Sequence, residues 1–198
     1  SGGDAGSKNV FTNFIDANTD LHLVDNNNCN LESAGQVQAS VLVDYDGQLR
    51  DAVSPDIGAD EFSGLCNIEI NLKAFIEGYY SGAGMMVSAL YPGSPSLDCD
   101  TVVLQLASDV SPYAILHSAT AILQRDGTAQ FSFPNSVAAT NCYLVIKHRN
   151  ALETWSANPV LLSNGFSYDF STLATQAYLS NQKMLAAGVF ALYSGDVN

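Results

Sequence analysis

The chain has 198 residues, of which 47% are hydrophobic, and its 7 basic and 20 acidic side chains give a net charge of −13. A surface this acidic repels phosphate backbones and anionic lipid headgroups, which argues against nucleic acids and membrane surfaces as partners. No apolar run approaches the roughly 18 residues of a membrane-spanning helix, so membrane insertion is not expected. The large apolar fraction instead predicts a folded protein with a core.

The first part of the chain is rich in Asn, Asp, Ser and Gly, and its apolar islands are short, at residues 10–15, 21–24 and 41–43. Each island is long enough for one strand at most. Short strands separated by turn residues cannot bury their own faces, which is the condition of one or two coils at the end of a stacked β-solenoid. Residues 1–64 are therefore predicted to form a β-helix-cap-like unit.

Strand-length segments that are apolar or alternate in polarity fill the rest of the chain, separated by turns rich in Pro, Gly, Asn and Asp. The predicted strands comprise residues 68–76, 85–90, 101–106, 113–116, 129–133, 142–147 and 188–193. Such strands predict an all-β chain, with an Ig-like or transthyretin-like β-sandwich over residues 65–198. A short helix over Leu173–Leu185, capped by Ser171 or Thr172, is the one helical segment expected.

Two regions of the chain carry recognisable motifs. The sequence DYDGQLR at Asp44–Arg50, with SPDIGADEF at Ser54–Phe62, resembles the closing segment of a right-handed parallel β-helix in modular proteins secreted by Bacteroidota. Ile146–Ala157, followed by Tyr168–Phe170 and Tyr193–Asn198, resembles the β-sandwich module that precedes a dockerin-like or sorting region in those proteins. The resemblance implies a secreted or cell-surface protein. The family's catalytic residues lie on coils and domains that this chain does not match, so the resemblance implies none here.

One acidic loop has part of the pattern of a calcium site. Asp44 and Asp46 begin a D-x-D-G arrangement, in which alternate carboxylates point to one centre and glycine permits the turn, but the later ligands are missing. The preferred interpretation is a structural turn that needs no metal, because Arg50 offers a planar partner for the carboxylate of Asp56 or Asp60.

A second partial calcium pattern lies at the end of the sequence. Asp196 and Asn198 match the first two ligand positions of a dockerin-type loop, and the chain stops before the remaining ligands. Because both patterns are incomplete, we expect no cofactor, and calcium is the one ion that the sequence leaves open.

Polar and aromatic side chains follow the strand predicted at residues 142–147. They are His148, Arg149, Asn150, Glu153 and Trp155. An aromatic face packs on the C–H groups of a sugar while polar neighbours bind its hydroxyls, so Trp155, His148 and Arg149 are candidate carbohydrate-binding residues. The preferred interpretation is structural: Trp155 packs in the core, and Arg149 pairs with Glu153 at a strand corner. The same two interpretations, with the same preference for the structural one, apply to three tyrosines near glycine-rich turns, Tyr79, Tyr80 and Tyr91.

The four cysteines have no C-x-x-C spacing, and with only three histidines they do not match the usual ligand spacing of a zinc site. Four cysteines allow three disulfide pairings, and an exported protein is expected to contain oxidised cysteines. Cys99 with Cys142 is the preferred bridge, because both precede or open neighbouring predicted strands of one unit. Cys29 with Cys66 is the second bridge considered.

No sequence pattern typical of an enzyme is present. No serine lies in G-x-S-x-G, and His22, His117 and His148 lack a signature that would orient a catalytic triad. The acidic residues form many pairs but no motif. We therefore predict a non-catalytic accessory or spacer module, whose partners are neighbouring domains and, through weak binding, polysaccharide. The rival hypothesis is a structural or adhesin subunit that self-associates by edge pairing into a surface filament.

Overall fold

The computed structural model describes residues 8–25 and 27–195, and the chain divides into two compact units between Cys66 and Asn67. The fold is all-β, as predicted, because 43% of it is strand and the described residues contain no helix of seven or more residues. No helix within these ranges is long and apolar enough to cross a membrane.

The first unit has little regular structure. Its strands β1 (Phe14–Asp16) and β2 (Asp20–Leu23) form an antiparallel pair, and an isolated bridge joins Val43 to Leu49. The remaining described residues are turns, bends and extended loops. This agrees with the short apolar islands of the sequence, which are too few to build a sheet with a buried face.

Hydrogen bonds between side chains and backbone replace a core in this unit. Leu23 and Leu31 are the only branched aliphatic or aromatic side chains buried among its described residues. The carboxylate of Asp44 accepts three backbone N–H groups, at 2.8 to 3.1 Å, and that of Asp56 accepts two. The amide of Asn28 makes three hydrogen bonds to backbone groups. Buried polar groups that are satisfied in this way hold the loops where apolar contacts are few.

The second unit contains the longer strands of the chain. They are β3 (Asn67–Lys73), β4 (Tyr80–Gly82), β5 (Met85–Met86), β6 (Asp98–Ser108), β7 (Ile115–Gln124), β8 (Thr128–Pro134), β9 (Asn141–His148), β10 (Ala151–Trp155), β11 (Val160–Leu161), β12 (Phe166–Asp169), β13 (Lys183–Ala186) and β14 (Val189–Ala191). Single 3-10 turns connect some of them, at Glu77–Tyr79, Asn135–Val137, Ala174–Gln176 and Tyr178–Ser180.

Two larger sheets give the second unit its sandwich-like fold. One has the order β10-β9-β6-β7, with β11 also paired to β9, and all of its pairs are antiparallel. The other has the order β12-β3-β8, with β12 parallel to β3. Strand side chains alternate between two faces, so every second residue enters the shared core. Examples from both sheets are Ile68, Ile70, Leu104, Leu144 and Ile146.

The prediction of a helix over Leu173–Leu185 is wrong. The segment forms the two separate 3-10 turns that end at Gln176 and Ser180, and strand β13 follows them. Leu179 and Ser180 have φ angles of 54° and 55°, in the left-handed region, so a right-handed helix cannot continue through them.

The preferred disulfide, Cys99 with Cys142, is also wrong. Both cysteines lie near the beginning of their strands. Because β6 and β9 are antiparallel, the beginning of one strand lies beside the end of the other, so the two cysteines are at opposite ends of the strand pair. Cys142 pairs with Ser108, and the distance along β6 from Ser108 to Cys99 is about 30 Å, whereas a disulfide needs Cα atoms within about 7 Å. Both thiols are free and buried, and the disulfide joins Cys29 to Cys66.

We expect non-reducing peptide mapping to recover the Cys29–Cys66 pair, and iodoacetamide to leave Cys99 and Cys142 unmodified in the native protein. Burial raises the pKa of both thiols to about 11, so neither thiolate nor access is available. Replacing Cys29 and Cys66 by Ser should lower the free energy of unfolding of the first unit by about 4 kcal/mol in the chain-entropy model, given the 37-residue separation. A recovered Cys99–Cys142 peptide would contradict this assignment.

Candidate functional site

The residues predicted for sugar recognition lie in two different places in the second unit. His148 follows Leu144 and Ile146 on the inward face of β9, and its side chain is fully buried. Trp155 pairs with Val145, which has the opposite parity, and therefore lies on the outer face of the five-stranded sheet. The sequence placed these side chains in one cluster because the pairing of β9 with β10 cannot be read from spacing alone.

The inward group, the Asp100 cluster, consists of Asp100, His148, Arg149, Tyr79 and Asn150. Asp100 Oδ2 accepts hydrogen bonds from His148 Nε2 at 3.1 Å, from Arg149 Nε at 2.9 Å and from the Tyr79 hydroxyl at 3.1 Å. Arg149 Nη2 lies 2.8 Å from the same oxygen. Asn150 Nδ2 donates to the Tyr79 hydroxyl at 2.7 Å. The cluster ties the start of β6 to the end of β9.

The hydrogen bonds and burial indicate the protonation states of His148 and Asp100 within this cluster. The backbone N–H of Asn150 donates to His148 Nδ1 at 3.0 Å, so the proton of a neutral imidazole is on Nε2, facing Asp100. Burial lowers the pKa of His148, although the Asp100 carboxylate opposes that shift. Burial alone would raise the pKa of Asp100, but hydrogen bonds from the Thr101 N–H, Arg149 and Tyr79 hold it below its usual value.

The Asp100 cluster is a structural network. Asp100 is 1% exposed, and its Oδ2 atom is surrounded by donors from the protein itself. Tyr80 is also engaged internally, because its ring packs edge-on against Phe75 at 5.1 Å and its hydroxyl accepts the Gly84 N–H. A ligand would have to displace these contacts to reach His148 or Tyr80. The geometry therefore does not favour the carbohydrate-binding role predicted for His148, Tyr79 and Tyr80. The side chain of Arg149 is 59% exposed, but its guanidinium is engaged with Asp100.

The outward group, the aromatic strip, consists of Tyr113, Tyr143 and Trp155. Their neighbouring rings lie 6.0 Å and 5.8 Å apart, between Tyr113 and Tyr143 and between Tyr143 and Trp155. Val145 lies on the same face, is fully buried and does not belong to the main core. The strip therefore covers part of the outer face of the sheet while leaving aromatic surface open to solvent, since Tyr113 is 47% exposed.

Glu153 connects the strip to charged groups. Trp155 Nε1 donates to Glu153 Oε1 at 2.8 Å, and Lys147 Nζ lies 3.0 Å from Glu153 Oε2. The hydrogen bond from Trp155 and the neighbouring Lys147 hold the pKa of Glu153 below its usual value, against the effect of burial. The structural interpretation preferred from the sequence is therefore wrong, because Trp155 lies outside the core, Arg149 pairs with Asp100 and Glu153 pairs with Lys147.

An open cleft of about 440 Å³ extends the strip at Trp155. Its lining residues are Glu153, Trp155, Tyr178, Leu179, Ser180, Asn181 and Tyr193. Aromatic rings, hydroxyls, an amide and a carboxylate that converge on one concave surface suit a sugar ring, which offers both C–H faces and hydroxyl groups. The residues contributed by the later segments were missed, because three separate parts of the chain have to fold together to form the cleft.

The residues predicted to bind calcium have other surroundings. Asp44 uses both carboxylate oxygens to accept the N–H groups of Asp46, Gln48 and Glu61, so it organises its loop. Burial would raise the pKa of Asp44, but these hydrogen bonds lower it. The Asp46 carboxylate instead lies 2.6 Å from His22 Nε2. Asp196 and Asn198 lie outside the described residues.

Arg50 has partners other than the two that the sequence suggested. Its Nε atom lies 3.3 Å from Glu61 Oε2, and its Nη atoms donate to the backbone carbonyls of Asp56 and Gly58. The predicted ion pair with the side chain of Asp56 or Asp60 is replaced by these contacts, which still tie the two loops together without a metal.

No protein-family model matches the chain, and no curated protein matches its sequence. The function is therefore argued from the geometry of the chain itself.

We expect the His148→Gln substitution to reduce the loss of stability between pH 7 and pH 5. Burial places the pKa of folded His148 below its usual value of 6.5, so the unfolded chain binds the proton more tightly. The contribution of His148 is complete above about pH 6.5 and is lost as the pH falls towards the folded pKa. Urea unfolding followed by the fluorescence of Trp155 measures the second unit. His117→Gln, on β7, is the control, and an equal effect of both substitutions would contradict the assignment.

Proposed function

We propose that this chain is a non-catalytic accessory module of a secreted, multidomain protein, and that its second unit binds polysaccharide at the aromatic strip and the adjoining cleft. The observation that carries the proposal is the convergence of Trp155, Tyr178 and Tyr193 on one open cleft beside Glu153 and Asn181. The all-β fold with a disulfide is compatible with an extracellular protein, which is where such a module would meet polysaccharide.

Exposed rings beside hydrogen-bonding groups support sugar binding at this surface. Tyr178 is 54% exposed, so its ring offers a face that the protein has not already covered. Asn181 and Ser180 place an amide and a hydroxyl beside that ring. The open shape of the cleft suits a polymer chain that passes across it, because neither end of the chain needs to be enclosed.

The electrostatics of the cleft support binding rather than bond cleavage. Glycoside hydrolysis ordinarily uses two carboxyl groups, one of which must hold a proton. Among the described residues that line the cleft, Glu153 is the one carboxylate, and both of its oxygens already contact Trp155 and Lys147. Its lowered pKa keeps it ionised at neutral pH, so it accepts hydrogen bonds and does not serve as an acid.

In this proposal the first unit packs against a neighbouring domain. Among its described residues, two large hydrophobic side chains are buried and twelve are exposed. The exposed ones are Phe11, Phe14, Ile15, Leu21, Val37, Val41, Leu42, Val43, Tyr45, Leu49, Val53 and Leu65. An open groove of about 610 Å³ in the same unit is lined partly by these residues. Exposed apolar surface of this extent is typical of an interface with another polypeptide.

The same exposed surface favours a second candidate, self-association into a larger assembly. A second copy of the chain would cover the apolar side chains of the first unit as well as a neighbouring domain does. Sedimentation of the full chain separates the two candidates. A monomer over a wide range of concentration favours the accessory module, whereas growth into dimers or filaments that Leu49→Asp and Leu42→Asp prevent favours the assembly subunit.

We expect affinity gel electrophoresis with a panel of plant, algal and host polysaccharides to retard the parent protein on at least one gel. Tyr178→Ala should weaken that retention about tenfold or more, because stacked aromatic residues dominate binding energy at such surfaces. Because Tyr178 is largely exposed, the substitution should leave the melting temperature nearly unchanged. Trp155→Ala should abolish retention and also lower stability, since it uncovers Val145.

Tyr91→Ala is the matched control for these substitutions. Tyr91 is 51% exposed but lies in a turn outside the strip and the cleft, so its loss should leave retention unchanged. Retention by no polysaccharide of the panel, or equal retention of the parent and Tyr178→Ala, would contradict sugar binding at this surface.

A further inference from the structure

Three side chains from distant parts of the first unit converge at one point. His22 lies on β2, Asp46 in the loop after Val43, and Asp60 in a later loop, and one ligand atom from each lies within 4.8 Å of the others. His22 Nε2 is 2.6 Å from Asp46 Oδ2. We propose that His22, Asp46 and Asp60, here called the His22 site, bind a first-row divalent cation such as Zn²⁺ or Mn²⁺.

A fourth side chain orients the imidazole. Asp20 Oδ1 lies 2.5 Å from His22 Nδ1, on the side of the ring that faces away from Asp46. Histidines that bind metals commonly donate their other ring N–H to a carboxylate, which fixes the tautomer and turns the free nitrogen to the metal. Asp20 therefore directs His22 Nε2 towards Asp46 and Asp60.

Backbone hydrogen bonds hold both carboxylates in position. The N–H of Asp46 donates to the buried carboxylate of Asp44 at 3.0 Å, which fixes the start of the loop that carries the ligand. Asp60 Oδ2 accepts a hydrogen bond of 2.8 Å from the N–H of Leu23, the residue that follows His22 in the sequence. Hydrogen bonds within the first unit therefore position both the loop that carries Asp46 and the carboxylate of Asp60. Asp44, which the sequence suggested as a ligand, positions one instead.

The charge at the His22 site is not balanced by the protein. Asp20, Asp46 and Asp60 bring three carboxylates to one imidazole, so the group stays negative even with His22 protonated. Among the described residues, no Lys or Arg forms an ion pair with any of the three. Arg50, the basic residue of the neighbouring loop, is engaged with Glu61. A divalent cation would supply the missing positive charge.

The composition of the first unit independently favours a structural metal. Units of this size with so few buried apolar side chains usually rely on disulfides or metals for stability. Its disulfide joins Cys29 to Cys66 and so closes the segment that contains Asp46 and Asp60, but β2, which carries His22, lies outside that segment. A cation at the His22 site would join these three segments.

The ligand types select the class of cation. One imidazole nitrogen and two carboxylate oxygens match the mixed ligands of Zn²⁺ and Mn²⁺, whereas Ca²⁺ prefers six to eight oxygen ligands. The side chains of His22 and Asp46 are 44% and 29% exposed, so water can complete the coordination. The site therefore differs from the calcium loop suggested by the sequence.

The experiment is a calorimetric titration of the full chain, without a histidine tag and stripped with chelator, against ZnCl₂. We expect one saturable site and a rise in melting temperature on saturation, because the cation binds the folded state. Separate His22→Gln and Asp60→Asn substitutions should each weaken binding about 10- to 100-fold. Asp25→Asn removes the same charge from an exposed position of the same unit and should leave the affinity unchanged.

Manganese provides a readout that needs no substitution. Mn²⁺ bound at the His22 site should broaden the ring proton signals of His22, and an excess of Zn²⁺, which binds such ligands more tightly, should restore them by competition. Absence of saturable Zn²⁺ binding, equal weakening by Asp25→Asn, or broadening of His22 that excess Zn²⁺ does not reverse would overturn the proposal. Circular dichroism of each variant distinguishes loss of the site from loss of folding.

Discussion

The alternation of side chains along β9 is the constraint on which the second unit depends. Because the strand lies in a sheet that is covered on one side, Leu144 and Ile146 must face the core. The same parity takes His148 into the protein and sends Tyr143 and Val145 to the outer face. A shift of register by one residue would exchange the two sets, exposing the core and burying the strip. The separation of the buried network from the proposed binding surface is therefore a consequence of the alternation of side chains in the sheet.

Burial of Asp100 follows from that alternation. The inward end of β9 brings His148 to the edge of the core, where an imidazole needs a partner, and the start of β6 supplies a carboxylate. Hydrogen bonds from the Thr101 N–H, from the exposed guanidinium of Arg149 and from Tyr79 then hold the pKa of that carboxylate below its usual value although it is buried. Removing Asp100 would leave several donors without an acceptor, so the network acts as one unit. Buried carboxylates that accept hydrogen bonds also hold the first unit together, where Asp44 and Asp56 organise loops that have few apolar contacts.

Local pattern predicted much of the fold, and long-range pairing decided the rest. Strand-length apolar segments were recognised because alternation is a property of neighbouring residues, as over Asn67–Lys73 and Asn141–His148. The prediction of a Cys99–Cys142 disulfide was wrong because the direction in which two strands pair cannot be inferred from local sequence. Trp155 was sorted with His148 for the same reason. The cleft and the His22 site each require three segments to meet, and no spacing within the sequence encodes that meeting.

The central claim is that the outer face of the five-stranded sheet binds polysaccharide while the inward face only supports it. The most direct test is an NMR titration of isotope-labelled protein with an oligosaccharide from a polysaccharide that retards it. We predict shifts of the Trp155 indole N–H signal and of the backbone amides of Tyr178 and Asn181, with those of Leu144 and Ile146 unchanged. Shifts confined to residues around Asp100 or to the first unit would contradict the account.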